Sequence, residues 1–199
     1  MGELKLRSLP NNLLPYDGEV YLFENLFTSQ KSDQITKNIL SEVSWRDDKI
    51  TMFGKTYPQA RKVAFHGDPG VDYIYTRIKM ISPGWTPQLK KLNIWLRKEF
   101  QLDFNTALVN YYRDGRDHMS WHRDDEPELK LNPTIASLNF GASRDFFFRH
   151  NEGEKVALNL KQGDLLVMKG QTQTFWKHSL PKRLKLKEPR LNITFRKIY

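Results

Sequence analysis

The spacing of apolar residues predicts two amphipathic helices in the first half of the chain. In both segments the apolar positions recur every three or four residues, as they do on one face of a helix. Thr28 or Ser29 is placed to cap the first helix, and Thr86 followed by Pro87 is a favourable start for the second. The apolar stripes are Ile35, Ile39, Leu40 and Val43 in "TSQKSDQITKNILSEVSW", and Leu89, Leu92, Trp95, Leu96 and Phe100 in "TPQLKKLNIWLRKEF".

After Asp103 the pattern changes to short apolar runs separated by turn sequences such as "RDG", "NEG" and "QGD". Strands at this spacing predict an antiparallel sandwich or barrel, a group that includes the jelly roll. We expect an α+β fold, with helices and irregular structure over 1–103 and a β core over 104–199. No linker-like sequence separates the two parts, so 1–199 is expected to form one domain. The predicted strands are "TALVNYY", "TIASLNF", "DFFFRH", "KVALNL", "DLLVM", "TFWKHS" and "RLNITFR".

The chain contains no cysteine. Disulfides, zinc sites built on thiolates, cysteine nucleophiles and cysteine-bound iron–sulfur clusters are therefore excluded. Any metal must be held by histidine and carboxylate side chains, which suit iron, manganese or zinc with open coordination positions.

The net charge of +9 favours a polyanionic partner such as a nucleic acid. No stretch of about 18 apolar residues is present, so we expect no membrane span. The N-terminal segment lacks the apolar run that is typical of a secretory signal. The expectation is a soluble intracellular protein, cytoplasmic in a bacterium and nuclear in a eukaryote.

A candidate metal site is indicated by "HMSWHRDDE", residues 118–126. On a strand, His122 and Asp124 would face the same side, although an ordinary exposed loop can have the same composition. His178 lies near the end of a late predicted strand, and early and late strands of a jelly roll can be neighbours. Two histidines and one carboxylate form the ligand set of non-haem Fe(II) oxygenases. The alternative for His178 is a core histidine that is satisfied by a backbone carbonyl.

The strand predicted over "RLNITFR" has one polar face. The alternative is that this face meets water. However, two guanidinium groups on one face also suit a dicarboxylate, since each can bind a carboxylate bidentately. 2-Oxoglutarate is such a ligand. The polar face consists of Arg190, Asn192, Thr194 and Arg196.

Three segments together resemble the AlkB family of DNA- and RNA-dealkylating dioxygenases, most closely its branch that acts on double-stranded DNA. They are "NYYRDGRDHMSWHRDDE", "IASLNFGASRDFFFRH" and "WKHSLP…PRLNITFRKI", and the similarity covers roughly residues 50–199. The resemblance implies a double-stranded β-helix (jelly-roll) core, with N-terminal helices and a nucleotide-recognition lid within 1–103. It also implies oxidative removal of methyl groups from bases such as N1-methyladenine and N3-methylcytosine. The reaction would use Fe(II) as its cofactor, consume O2 and 2-oxoglutarate, and release succinate, CO2 and formaldehyde.

The resemblance also assigns roles to residues of the candidate site. It implies that Fe(II) is held by His122, Asp124 and His178. Arg190 would bind the far carboxylate of 2-oxoglutarate and Arg196 its C1 carboxylate. The other implied cosubstrate contacts are Asn110, Tyr112, Asn192 and Thr194.

The basic run "KRLKLK", residues 182–187, is a candidate for phosphate contacts. The resemblance points to Arg183 and Lys185. Since basic residues alternate here with Leu184 and Leu186, an amphipathic edge strand is the alternative.

A second candidate for nucleic-acid contact is the stretch around Phe53, Gly54 and Lys55. An exposed Phe53 on a hairpin tip would fill the gap left by a flipped base. The alternative is a hairpin anchored in the core. Met52 stands where the family pattern leads us to expect a smaller branched residue, which weakens the inference of a preference for duplex DNA.

The resemblance further implies contacts with the flipped base. Tyr75 would stack on it opposite His122, with Tyr73 on the same strand face, and Asp125 would read its exocyclic edge. Two half-buried strand tyrosines are the alternative. His118 is expected to be structural, and no role is assigned to Trp121.

The expected partner is DNA, double-stranded with a flipped base, bound by a monomeric enzyme. Two alternatives remain open at the level of sequence. One is the same chemistry on RNA, tRNA or a protein side chain. The other is a non-catalytic nucleic-acid-binding module on an oxygenase fold.

Overall fold

The structure is a computed structural model. It describes residues 9–46, 49–52, 55–58, 60–75 and 78–199. For residues 49–52, 55–58, 72–75 and 78–79 the description is limited to the backbone.

The described chain contains three helices and fourteen strands. The helices are α1 (Ser29–Glu42), α2 (Pro87–Phe100) and the short α3 (Thr172–Phe175). The strands are β1 (Glu19–Phe23), β2 (Lys49–Met52), β3 (Lys55–Pro58), β4 (Lys62–Gly67), β5 (Asp72–Tyr75), β6 (Ile78–Ile81), β7 (Thr106–Tyr112), β8 (Met119–His122), β9 (Ile135–Gly141), β10 (Arg144–His150), β11 (Lys155–Leu160), β12 (Leu165–Lys169), β13 (Trp176–Leu180) and β14 (Arg190–Arg196).

Two antiparallel sheets form the core. The large sheet has the order β1-β12-β9-β14-β7-β4, and the small sheet has the order β11-β10-β13-β8. Two further pairs, β2-β3 and β5-β6, form separate two-stranded sheets. A cluster of apolar side chains joins the two core sheets, with Ile135 and Met168 from the large sheet and Phe148 and Trp176 from the small one. The predicted jelly-roll core is confirmed.

Helices α1 and α2 cover the outer face of the large sheet. Ile39 of α1 and Leu92 of α2 belong to the same apolar cluster as Ile193 of β14. The two predicted helices are confirmed, since Thr28 accepts a hydrogen bond from Lys31 N and Thr86 caps α2 with Pro87 at its first position. Leu40 of the predicted stripe is exposed instead.

The large sheet is not confined to residues 104–199. Its two edge strands, β1 and β4, come from earlier in the chain, where β1 pairs with β12 and β4 with β7. A division at residue 103 therefore separates strands of one sheet. Both edge strands are short, and the sequence gives no local sign of partners more than 40 residues away.

Strand β14 lies between β9 and β7, and all seven of its residues are buried. Leu191, Ile193 and Phe195 face the helices within the apolar cluster. The alternative that the opposite, polar face meets water is wrong, because its residues are buried and line a cavity. Within the described part of the chain, no helix is long and apolar enough to cross a membrane.

Candidate metal and cosubstrate site

The two candidate histidines face each other across neighbouring strands. His122 is the last residue of β8 and pairs in register with His178 of β13, with ring centroids 4.2 Å apart. Asp124 lies two residues beyond the end of β8, and its Oδ1 is 3.8 Å from His122 Nε2. One ligand atom from each of the three residues lies within 4.8 Å of the other two. The structure therefore brings together all three predicted iron ligands.

The donor atoms of this group fit a cation. His122 Nδ1 is hydrogen-bonded to the Ser120 carbonyl at 2.9 Å, which leaves Nε2 to face Asp124. Asp124 Oδ2 accepts from Arg196, but Asp124 Oδ1 is buried without a hydrogen-bond partner among the described residues, as is His178 Nδ1. Buried acceptors are normally satisfied, so a buried, unpaired carboxylate oxygen beside two histidines suits metal coordination.

The protonation states of these three residues at neutral pH also favour metal binding. Burial lowers the pKa of His178 to about 3 and lowers that of His122 as well. Burial alone would raise the pKa of Asp124. The charge of Arg196, with the two histidines, outweighs that effect and lowers the Asp124 pKa well below its ordinary value. The group is thus two neutral imidazoles and a carboxylate, which are the forms that bind a divalent cation.

A cavity next to the three residues is lined by the polar face of β14 and by neighbouring strands. All the residues predicted to contact 2-oxoglutarate lie on its wall: Asn110, Tyr112, Arg190, Asn192, Thr194 and Arg196. Asn192 Nδ2 donates to Ser137 Oγ at 2.7 Å, and Thr194 Oγ1 donates to Asn192 Oδ1 at 3.1 Å. These bonds fix the orientation of the wall's polar groups.

Arg190 carries a buried positive charge at one end of this wall. It donates to Asn139 Oδ1, and its guanidinium carbon lies 5.2 Å from the centre of the Tyr112 ring. Burial lowers its pKa to about 10, which leaves it charged at neutral pH. Within the described part of the chain no carboxylate forms an ion pair with Arg190. A buried guanidinium of this kind is suited to an anionic ligand.

Arg196 occupies the other end of β14 and contacts the metal group directly. Its Nη2 donates to Asp124 Oδ2 at 2.8 Å, and both side chains are buried. The resemblance implied a contact with the C1 carboxylate of 2-oxoglutarate. The structure adds a second role, since this bond orients the carboxylate of a candidate iron ligand.

Comparison with known proteins identifies the family. The model of the family described as "2OG-Fe(II) oxygenase superfamily" matches residues 19–196. The chain belongs to this superfamily. Its cofactor and cosubstrates are therefore Fe(II), 2-oxoglutarate and O2, and His122, Asp124 and His178 are the group that can hold the iron.

Curated relatives place this oxygenase in the AlkB family, as its sequence predicted. It is 40% identical to the DNA oxidative demethylase ALKBH2 of Bos taurus over 185 residues, which cover 87% of this chain and 66% of the bovine protein. ALKBH2 of Mus musculus is also 40% identical, with 87% of this chain and 77% of the mouse protein covered. The mouse alkB homolog 3 is 37% identical over 90% of this chain and 66% of its own length. The chain thus spans about two thirds of the length of two of these relatives.

A solved structure has the same fold. OsALKBH1 superposes with a TM-score of 0.60 over 89% of this chain and 96% of its own, at 17% identity. At that identity the similarity concerns the oxygenase fold alone.

Two buried side chains of the oxygenase site were missed by sequence analysis. Arg61 lines the cavity and donates Nε to Asn110 Oδ1 at 2.7 Å. Gln173 accepts a hydrogen bond from the backbone N–H of Asp124 at 2.9 Å. Gln173 lies on α3, whose last two residues were predicted to begin the strand "TFWKHS"; that strand begins instead at Trp176. No local pattern distinguishes Arg61 or Gln173 from an ordinary polar residue.

The predicted phosphate contacts differ in their surroundings. Lys185 is exposed, but Arg183 is half-buried and donates Nε to Asp145 Oδ2 at 2.6 Å. Residues 182–187 form a loop between β13 and β14, so the alternative of an edge strand is wrong. Asp125 is exposed beside the metal group, and its carboxylate lies 3.9 Å from Arg123 Nε.

The remaining nucleic-acid predictions fall outside the described residues. Phe53 and Gly54 are not described, and neither are the side chains of Lys55, Tyr73 and Tyr75. Strands β2 and β3 pair with each other, and in this pairing Met52 lies opposite Lys55.

Trp121, to which no role was assigned, packs beneath Arg149, whose guanidinium carbon is 4.5 Å from the ring centre.

Proposed function

We propose that this oxygenase removes methyl groups oxidatively from alkylated bases in DNA, with N1-methyladenine and N3-methylcytosine as typical substrates. The observation that carries the proposal is the convergence of His122, Asp124 and His178 beside a cavity with a buried cation, Arg190. The ALKBH2 relatives, named DNA oxidative demethylases, support DNA as the substrate. The complete ligand set argues against a non-catalytic binding module.

The iron site would use His122 Nε2, Asp124 Oδ1 and His178 as its three protein ligands. Three ligands leave open positions for 2-oxoglutarate and O2. When bound, Fe(II) supplies the oxidising chemistry: one atom of O2 enters the succinate formed with CO2, and the other hydroxylates the N-methyl carbon, which then leaves as formaldehyde. Arg196 holds Asp124 through its second oxygen, so Asp124 Oδ1 stays directed at the metal position.

The cosubstrate would lie along the polar face of β14. Arg190 would bind the far carboxylate of 2-oxoglutarate. Arg196 is close enough to the metal group to contact the C1 carboxylate as well as Asp124. Asn110, Tyr112, Asn192 and Thr194 would supply hydrogen bonds along the wall.

The remaining task of the protein is to position the methylated base. We assign Tyr75 and His122 to stacking on a base flipped out of the helix, a contact that contributes about 1–3 kcal/mol per base. Tyr73 would lie beside Tyr75, and Asp125 would contact the exocyclic edge of the base. A carboxylate suits this position because methylation at N1 of adenine or N3 of cytosine makes the base cationic.

Duplex DNA is the proposed form of the substrate. Phe53, with Gly54 and Lys55, would fill the gap left by the flipped base. Arg183 and Lys185 would lie near the phosphates, with Lys185 the more accessible of the two. The enzyme is proposed to act as a monomer.

The proposal is tested by measuring succinate and formaldehyde with N1-methyladenine placed in duplex DNA, single-stranded DNA and RNA of the same sequence. We expect equal amounts of the two products and the highest kcat/KM on duplex DNA. Higher kcat/KM on RNA would redirect the proposal to an RNA substrate. The absence of succinate with every substrate, in the presence of Fe(II) and ascorbate, would contradict an enzymatic role.

A further inference from the structure

Arg144, the first residue of β10, carries a fully buried positive charge that the proposed reaction does not use. It is 1% exposed. Its guanidinium donates to the backbone carbonyls of Asp117 at 2.9 Å, Pro181 at 2.7 Å and Asp114 at 3.4 Å. A buried charge is costly unless hydrogen bonds compensate it, and these bonds come from two separate segments of chain. Arg144 therefore joins the turn before β8 to the segment after β13.

The same two segments are joined by backbone contacts at Gly115. Its N–H donates to the Leu186 carbonyl at 3.0 Å, and its carbonyl accepts from Arg183 N at 2.6 Å. A Cβ atom at position 115 would lie 1.7 Å from the Arg183 carbonyl oxygen. Only glycine permits this approach, because any side chain would separate the two segments.

A third attachment uses side chains. Asp145 follows Arg144 on β10, and its Oδ2 accepts from Arg183 Nε at 2.6 Å. The turn itself is closed by Asp117, which accepts from Arg113 N and Arg113 Nε at 2.8 Å each. Residues 182–187, which we call the basic loop, are thus held by Gly115 and Asp145, while Arg144 holds Pro181, the residue just before the loop.

The attachments leave three lysines of the basic loop exposed: Lys182, Lys185 and Lys187. Arg183 is instead directed at Asp145. A loop that is already ordered loses less conformational freedom when it binds a ligand, so its cations bind more tightly. Several cations on one ordered loop suit a chain of phosphates.

We propose that Arg144, Gly115 and Asp145 are positioning residues that order the basic loop for binding a nucleic-acid backbone. In this arrangement Arg183 acts mainly as an anchor, and the three lysines make the phosphate contacts. The inference rests on the proposed function, since that function supplies the nucleic acid.

Asp145→Asn gives a sharp test because two explanations predict opposite results. It removes a negative charge and weakens the attachment of Arg183, so simple electrostatics predicts tighter binding of DNA. Ordering of the loop predicts the reverse, a Kd about fivefold higher. Asp103→Asn is the matched control: Asp103 is also in a surface ion pair, with Lys197 at 2.8 Å, and lies outside the basic loop. We expect this control to leave the Kd within twofold of the wild type.

Two measurements are needed. Amide hydrogen exchange on the free protein reports whether residues 182–187 lose protection, and fluorescence anisotropy with a labelled 15-base-pair duplex gives the Kd.

Two further variants test the other attachments. Gly115→Ala separates the segments without removing a buried charge and is expected to match Asp145→Asn in both hydrogen exchange and Kd. Arg144→Lys keeps the charge but loses the fork of donors, and it should show a smaller change of the same sign.

Loss of protection together with weaker binding in Asp145→Asn and Gly115→Ala would support the inference. Unchanged exchange in both variants, or an unchanged or lower Kd for Asp145→Asn, would overturn it. Failure of the wild-type protein to bind any oligonucleotide would contradict the proposed function instead, because the exchange measurement uses no nucleic acid.

Discussion

Arg196 donates its Nη2 to Asp124 Oδ2 at 2.8 Å, while Asp124 Oδ1 faces His122 Nε2. One carboxylate thus has an oxygen fixed by a buried guanidinium and an oxygen directed at the predicted metal position. This contact couples the last residue of β14 to the segment after β8, more than 70 residues apart in sequence. The orientation of the candidate iron ligand depends on it.

Arg196→Gln is expected to weaken metal binding without abolishing it. Groups that orient metal ligands typically affect affinity by about 10- to 100-fold. Titration calorimetry with Mn(II), in the absence of 2-oxoglutarate, measures this directly. Lys197→Gln is the control, because Lys197 is only half-buried and pairs with Asp103 instead. Equal Mn(II) affinity in Arg196→Gln and the wild type would show that the contact does not orient the ligand.

Arg190→Gln is expected to raise the KM for 2-oxoglutarate by about 10- to 100-fold, since hydrogen bonds to charged groups contribute about 1.5–3 kcal/mol. Mn(II) affinity should stay close to that of the wild type, because Arg190 lies at the opposite end of β14 from Asp124. Kinetics at varied 2-oxoglutarate, paired with the metal titration, separate the two effects. A lower Mn(II) affinity with an unchanged KM would reverse the roles assigned to the two arginines.

Gln173→Leu is expected to reduce metal affinity by releasing the backbone of Asp124. The N–H of Asp124 lies beyond the end of β8, so the Gln173 side chain satisfies it in place of a neighbouring strand. A buried donor left without a partner costs about 1–3 kcal/mol. Titration with Mn(II) measures the change in affinity.

Thr174→Ala controls for general disturbance of α3, because Thr174 is exposed on the same short helix. If Gln173→Leu and Thr174→Ala lowered the melting temperature while both kept wild-type metal affinity, the role of Gln173 would be structural only.

Phe53→Ala is expected to reduce kcat/KM on duplex DNA much more than on single strands. Its side chain is proposed to fill the gap in the duplex, and a single strand leaves no such gap. The comparison uses N1-methyladenine in oligonucleotides of one sequence in the two forms. Proportional losses on both forms would argue against a wedge.

Local patterns account for much of the fold. The caps at Thr28 and Thr86 and the apolar stripes made the two long helices predictable, and the alternation in β14 indicated which side chains share a face. The pairing of β4 with β7 and of β1 with β12 was not predictable, because contacts between distant segments leave no periodic signal in a single sequence.

The candidate site shows the same division. His122, Asp124 and His178 were found because their residue types and order suit iron ligands. The structure also contains the ion pair of Arg183 with Asp145 and the hydrogen bond from Asp124 N to Gln173, and neither was predicted from the sequence. Such contacts depend on how separate loops meet, and glutamine or aspartate at these positions resembles any surface residue.

The most direct test of the central claim is anaerobic Fe(II) binding by the wild type and by His122→Ala, Asp124→Ala and His178→Ala. In the wild type we expect one Fe(II) per chain, with a visible charge-transfer absorption when 2-oxoglutarate is added. Each variant should lack that absorption and turnover while keeping the circular dichroism of a folded protein. An iron-replete, active Asp124→Ala or His178→Ala protein would contradict the account.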